Sequence, residues 1–180
     1  MHRVSLVGVP GSGKSTLGPK IAAALGVSYV ELDALYHQPG WNGLDRGAFR
    51  TLVSDVVAAE GWVVDGNYSQ VQDIIWGRAD TVVWIDLQKH IVMARVIRRT
   101  IRRALRREVL WNGNREPLSN FYRWDPASNI IRWTSLKYDD YAVRYGAAME
   151  SDAYPHLTFV RLRSLDAVIR FARDLARPSV

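Results

Sequence analysis

Apolar residues fall along this chain in two rhythms, short β-branched runs and longer stretches at helical spacing, and the two alternate throughout. Val4 to Val7 predicts a strand over 3–7, and Leu17, Ile21, Ala24 and Leu25 predict a helix over 14–25 that Gly26 ends. A second strand is expected over 27–32. Asp45 then reads as the N-cap of a helix carrying Phe49, Leu52, Val53, Val56 and Val57 up to Gly61. Trp62-Val63-Val64-Asp65-Gly66 is a third strand, Val71, Ile74 and Ile75 mark a short helix, and 81–87 is a fourth strand. On the helix after Asp86, the stripe Ala94, Ile97, Ile101, Ala104 and Leu105 is expected to face the core. A further helix starts at Asp125-Pro126 and runs to about residue 149; a fifth strand follows over 157–162, and Ser164 caps a last helix with Leu165, Val168, Ile169, Ala172 and Leu175. Five strands alternating with helices predict a three-layer α/β fold around a parallel sheet.

Three places break the rhythm. Pro19 lies inside the first helix, where it removes the bond to the Ser15 carbonyl, so a local bend is expected, with Gly18 absorbing strain. Residues 35–41 read as a loop from Pro39-Gly40, and its aromatics and His37 suit an acceptor pocket or a packed surface loop equally. Residues 111–124 read as a mobile connection; with the preceding turns, a lid-like segment of about 100–124 is expected.

With 180 residues and 48% hydrophobic content, the chain can bury one good core, so residues 1–180 are read as a single domain. Cysteine is absent, which excludes disulfides and thiolate metal sites. The first residues lead straight into a strand, and no run approaches the roughly 18 apolar residues of a membrane span, so a cytoplasmic protein is expected. Net charge is +6, concentrated in Arg95, Arg98, Arg99, Arg102, Arg103, Arg106 and Arg107, so an anion is expected there. Phosphates and nucleic acid both qualify.

Gly8-Val9-Pro10-Gly11-Ser12-Gly13-Lys14-Ser15-Thr16 fits G-x-x-x-x-G-K-[ST] between a strand and a helix. Gly8, Gly11 and Gly13 let backbone amides approach a phosphate with no Cβ in the way, and the helix start adds partial positive charge. Gly8, Pro10, Gly11, Ser12, Gly13, Lys14, Ser15 and Thr16 are therefore the candidate ATP-binding set. Lys14 would neutralise the β- and γ-phosphates, and the Ser15 hydroxyl would bind Mg²⁺. Asp33 falls near the tip of the second strand, where open α/β sheets place ligands. Asp65 and Asp86 both end strands, and spacing leaves the magnesium-side role open between them. Arg46 and Arg50, four apart on one helix face, read as anion contacts or a solvated face.

In these motifs the chain resembles the nucleoside monophosphate kinase group of phosphate-loop kinases, with adenylate kinase, shikimate kinase and gluconate kinase among its members. The resemblance rests on the Gly8 to Lys14 loop, on Val63-Val64-Asp65-Gly66, and on Asp86 followed by Arg95 and Arg98-Arg99. Leu32-Asp33-Ala34-Leu35 with Pro39-Gly40-Trp41, Asp65-Gly66-Asn67-Tyr68-Ser69 and Arg78-Ala79-Asp80 also resemble a bacterial group labelled DNA topology modulation protein. The resemblance implies sheet order 2-3-1-4-5, an ATP- and Mg²⁺-dependent kinase, Asp65 beside Ser15 at the metal, and Arg95 and Arg99 (or Arg98) as the lid arginines. It also implies that Arg163 and Ser164 lie against the adenine. Tyr68-Ser69 stands where adenylate kinases carry Pro-Arg, and the interval between the second and third strands is short, which argues against AMP. Asp33 is similar to the shikimate kinase aspartate that faces a small hydroxylated acceptor and can act as base.

Two other classes share the loop. A nucleic-acid-binding protein affecting DNA topology would use the arginine helix with Trp111 and Trp124 as a phosphate-tracking surface. A nucleotide-gated interaction module would bind ATP without acceptor-stimulated turnover.

Overall fold

The computed structural model describes residues 1–115 and 129–176. In chain order its elements are β1 (Arg3–Val7), α1 (Lys14–Leu25), β2 (Ser28–Glu31), α2 (Leu32–Tyr36), β3 (His37–Gln38), β4 (Asn42–Gly43), α3 (Arg46–Val57), β5 (Trp62–Asp65), α4 (Ser69–Arg78), β6 (Thr81–Ile85), α5 (Lys89–Arg106), α6 (Ile130–Glu150), β7 (Thr158–Leu162) and α7 (Leu165–Leu175). Five of the strands form one parallel sheet in the order β2-β5-β1-β6-β7. Counted within that sheet, this is the expected 2-3-1-4-5.

The central strands are apolar without alternation because helices bury both of their faces. Val4, Leu6, Val63, Val82 and Val83 are all fully buried. Around the sheet, α1 packs with α7, α3 with α4 and α5 with α6. Helix ends follow local chemistry. Asp45 accepts from the Gly47 and Ala48 amides at 2.8 and 3.1 Å, Ser164 accepts from the Ala167 amide, and Gly26 closes α1 at φ 66°. Asn129 caps α6 through the Ile131 and Arg132 amides, and the expected start at Asp125-Pro126 lies outside the described residues.

Three expectations are corrected. The second strand stops at Glu31; Leu32 is fully buried and begins the short α2, and a β3–β4 hairpin occupies most of what reads as loop. The rotation of α5 also differs. Val92, Val96 and Thr100 are buried, whereas Ile97, Ile101 and Leu105 are 38%, 43% and 80% exposed. A Cβ on Gly11 would lie 2.7 Å from the Val92 carbonyl oxygen and 3.1 Å from the Val96 nitrogen, so close docking of the glycine loop, and not the widest apolar stripe, sets which face turns inward.

The third concerns Gly18, which lies beside Pro19 within the continuous helix α1. Gly18 is there for packing: a Cβ would sit 2.3 Å from Tyr29 Cε2. Alanine is the better helix former by about 1 kcal/mol. Gly18→Ala is nevertheless expected to lower stability by roughly 1–3 kcal/mol, because the added methyl overpacks the contact with a ring held by hydrogen bonds. Urea unfolding of the two proteins measures the difference, and a stabilised variant would contradict it.

Candidate active site

The glycine loop joins β1 to α1 at the carboxyl end of the sheet. Gly8, Gly11 and Gly13 have φ of 150°, 83° and 110°, conformations that side chains resist. At Gly8 and Gly11 space forbids them too, since a Cβ would lie 2.7 Å from the carbonyl oxygens of Ile85 and Val92 respectively. Lys14 Nζ donates to the Gly8 carbonyl at 2.8 Å and stands 3.8 Å from Asp65 Oδ1. Ser15 and Thr16 are exposed at the first turn of α1. Ser12 Oγ is buried without a hydrogen-bond partner, a donor inside a loop whose amides already favour an anion.

The two strand-end carboxylates are not equivalent. Asp86 accepts from Arg161 Nε and a terminal guanidinium nitrogen at 2.9 and 2.6 Å, an ion pair toward β7. Asp65 instead faces the loop, 6% exposed, and accepts from the Tyr29 hydroxyl at 3.0 Å; that hydroxyl also lies 3.1 Å from Glu31 Oε1. Burial raises the Asp65 carboxyl to about 6, with the Asp33 and Glu31 charges adding to the rise, while the Lys14 cation and the Tyr29 bond oppose it. Burial and the neighbouring Asp65 and Glu31 carboxylates push the Tyr29 hydroxyl far above its ordinary range, so it stays protonated as a donor.

The raised Asp65 value has a consequence for stability. The folded chain holds this proton more tightly than the unfolded chain, so the contribution of Asp65 becomes unfavourable as pH rises from about 4 through 6. Asp65→Asn is expected to be more stable than the parent at neutral pH, by on the order of 1 kcal/mol, and the gain should vanish near pH 4. Thermal midpoints across that range measure it; a variant less stable at every pH would contradict the assignment.

Asp33 lies on α2, where Oδ1 accepts from the Tyr68 hydroxyl at 2.7 Å. Tyr68 packs against Tyr36 and Phe49, and its hydroxyl is 3.4 Å from His37 Nε2. Tyr68 also lines a cleft of about 460 Å³ with Asn67, Trp133, Lys137, Tyr141 and Arg144. Residues 109–115 clasp α2 and the hairpin. Trp111 Nε1 donates to Glu31 Oε2 at 2.8 Å, Asn112 donates to the Ala34 and His37 carbonyls, and Asn114 donates to Gln38 and accepts from the Trp41 amide.

Among the arginines, Arg95 reaches the loop, donating to the Ser12 carbonyl at 3.3 Å. Arg99 lies one turn further along α5, half-buried. Arg102 and Arg103 both reach Glu108, at 3.3 and 3.8 Å, and Arg103 sits over the Trp111 ring. Arg50 pairs with both oxygens of Asp73 at 2.9 and 2.8 Å, so it braces α3 on α4. Lys137 pairs with Asp140, Arg144 donates to Gln72, and Ser164 serves as a helix cap. Within the lid-like segment, residues 100–106 continue α5 and 116–124 lie outside the described residues.

The donor set fits a magnesium-bound triphosphate. Among the described residues no group of three His, Asp or Glu side chains is arranged to hold a metal alone. Mg²⁺ is commonly held by one or two protein ligands, with phosphate oxygens and water completing the shell. Ser15 and Asp65 are of that kind.

Sequence reading missed Tyr29, Asn67 and Tyr68 as site neighbours. Each acts through a bond spanning more than thirty positions, such as Tyr68 to Asp33 with a separation of 35 residues, and no local pattern encodes it.

No family model matches the chain. It is 32% identical over 111 residues to shikimate kinase from Synechococcus sp. (strain RCC307), covering 51% of this chain and 54% of that protein. The chain thus spans about half the length of this relative, and a third of another, the shikimate kinase of Mycobacterium ulcerans. Its fold is that of shikimate kinase structures from Bacteroides thetaiotaomicron and, in complex with shikimate, from Acinetobacter baumannii. Each superposes with a TM-score of 0.56 over 97% of this chain, covering 96% and 90% of the other chain at 14% and 16% identity. Among the described residues no helix is long and apolar enough to cross a membrane.

Proposed function

We propose that this chain is an ATP- and Mg²⁺-dependent kinase that phosphorylates a small hydroxylated acceptor of the shikimate type. One observation carries the proposal: Lys14 stands between the Gly8 carbonyl and the buried Asp65, at the mouth of a loop whose three glycines all hold positive φ. When bound, magnesium and the triphosphate supply an activated phosphoryl group with part of its charge neutralised. Lys14 and the Gly11, Gly13 and Lys14 amides hold the donor phosphates, with Ser15 and Asp65 at the metal. Asp33, held by Tyr68 beside the cleft, orients the acceptor hydroxyl and takes its proton. Arg95 and Arg99 offset the charge that develops on the transferring group.

The engagement of Arg95 with the loop, and of Arg102 and Arg103 with Glu108, supports this reading over a phosphate-tracking surface for nucleic acid. The test is ATP consumption against shikimate, other hydroxylated carboxylates, nucleosides and nucleoside monophosphates. A hydroxylated carboxylate is expected to accelerate turnover while AMP does not. Turnover that no acceptor stimulates would sink the kinase and leave the nucleotide-gated module.

A further inference from the structure

Asn67 belongs to neither the glycine loop nor the carboxylate pair, yet its side chain grips the first residue of the loop at both backbone atoms. Its Oδ1 accepts from the Gly8 amide at 3.0 Å, and its Nδ2 donates to the Gly8 carbonyl at 2.7 Å. The Gly8 N–H and carbonyl fix which end of the amide faces which backbone group, and the Tyr145 hydroxyl, on α6, donates to the same Oδ1 at 3.1 Å and so steadies it there. Tyr145 is 2% exposed and packed by Trp76, Trp84 and Tyr141, which makes it a rigid support. We infer that Asn67, held by Tyr145, is a positioning residue that keeps the Gly8 peptide oriented so that the loop amides converge on a polyphosphate.

The physical need follows from glycine itself. Gly8 has φ 150° and no side chain to restrict its peptide planes, so an external restraint must select one orientation. Lys14 shares the Gly8 carbonyl with Asn67 at 2.8 Å, but a lysine that turns toward a phosphate gives that bond up. Asn67 keeps its own bond through that change. It lies two residues beyond Asp65, so one turn after β5 brings the acid and the clamp to the loop together. It also lines the cleft between α4 and α6, which puts the clamp in contact with both halves of the site.

This inference rests on the kinase reading, and its test needs no acceptor. Parent, Asn67→Asp and Tyr145→Phe proteins are titrated with Mg-ATP, Mg-tripolyphosphate and adenosine, and their thermal midpoints are compared. Asn67→Asp keeps an acceptor for the Gly8 amide but turns a second oxygen toward the Gly8 carbonyl. It is expected to weaken both polyphosphates about tenfold, equivalent to ~1.4 kcal/mol, with adenosine unaffected. Tyr145→Phe keeps the ring packing and is expected to weaken the polyphosphates a few-fold with the same selectivity, which carries the test should the first variant not fold. Parent-like polyphosphate binding by the variants, or an equal loss for adenosine, overturns the clamp. Parent protein that binds neither polyphosphate overturns the kinase reading itself.

Discussion

Lys14→Ala protein is expected to fold and to lose roughly 10³-fold of its acceptor-stimulated ATP turnover, the scale seen when a donor aimed at developing charge is removed. The lysine side chain is 13% exposed and has an acid 3.8 Å away, so it is already desolvated and oriented before reaction. A second signature separates this role from general damage. Lys14 is the cation that opposes the upward pull of burial on Asp65, so in Lys14→Ala the Asp65 carboxyl should titrate above the value of about 6 that it has in the parent. NMR titration of that carboxyl reads the change directly. Unchanged turnover, or an Asp65 that titrates lower, would contradict the assignment.

The second large effect is expected at Arg95. Its guanidinium donates to the Ser12 carbonyl from α5, which places a permanent cation against the same loop. Arg95→Ala should lower kcat by roughly 10³-fold, as expected for an arginine that meets charge appearing only in the transition state. Mg-ATP affinity should change far less, because that charge is absent from the ground state. Lysine at this position should rescue little, since a point charge cannot reproduce the planar fork. Arg50→Ala serves as the contrast: its partner is Asp73 on α4, so stability should fall and turnover per folded molecule should not. Equal losses of kcat in the two variants would count against a specific role for Arg95.

What could be read from the chain alone divides along physical lines. The loop, α1, the caps Asp45 and Ser164, and the apolar strands are local signals: a glycine spacing, a side chain reaching its own amides, a run without alternation. The sheet order came through the resemblance those motifs carry. The rotation of α5 was misread because Ala94, Ile97, Ile101, Ala104 and Leu105 make the broader stripe, while close approach to Gly11 selects Val92 and Val96. Gly18 was given to Pro19, its chain neighbour, when its real constraint is a ring eleven positions away on β2. What sets Asp86 apart from Asp65 is its pairing with Arg161, 75 residues further along the chain, which no local pattern reveals.

The clasp of residues 109–115 on the hairpin joins parts of the chain 73 to 80 positions apart. Closing so long a loop is entropically late in folding, and the clasp is made largely of side-chain bonds to backbone groups. They should therefore open before the sheet does, as a low-energy unit whose amides exchange with solvent early. Because Trp111 is bonded to the carboxylate that shares Tyr29 with Asp65, opening the clasp should also loosen the most buried acid among the described residues.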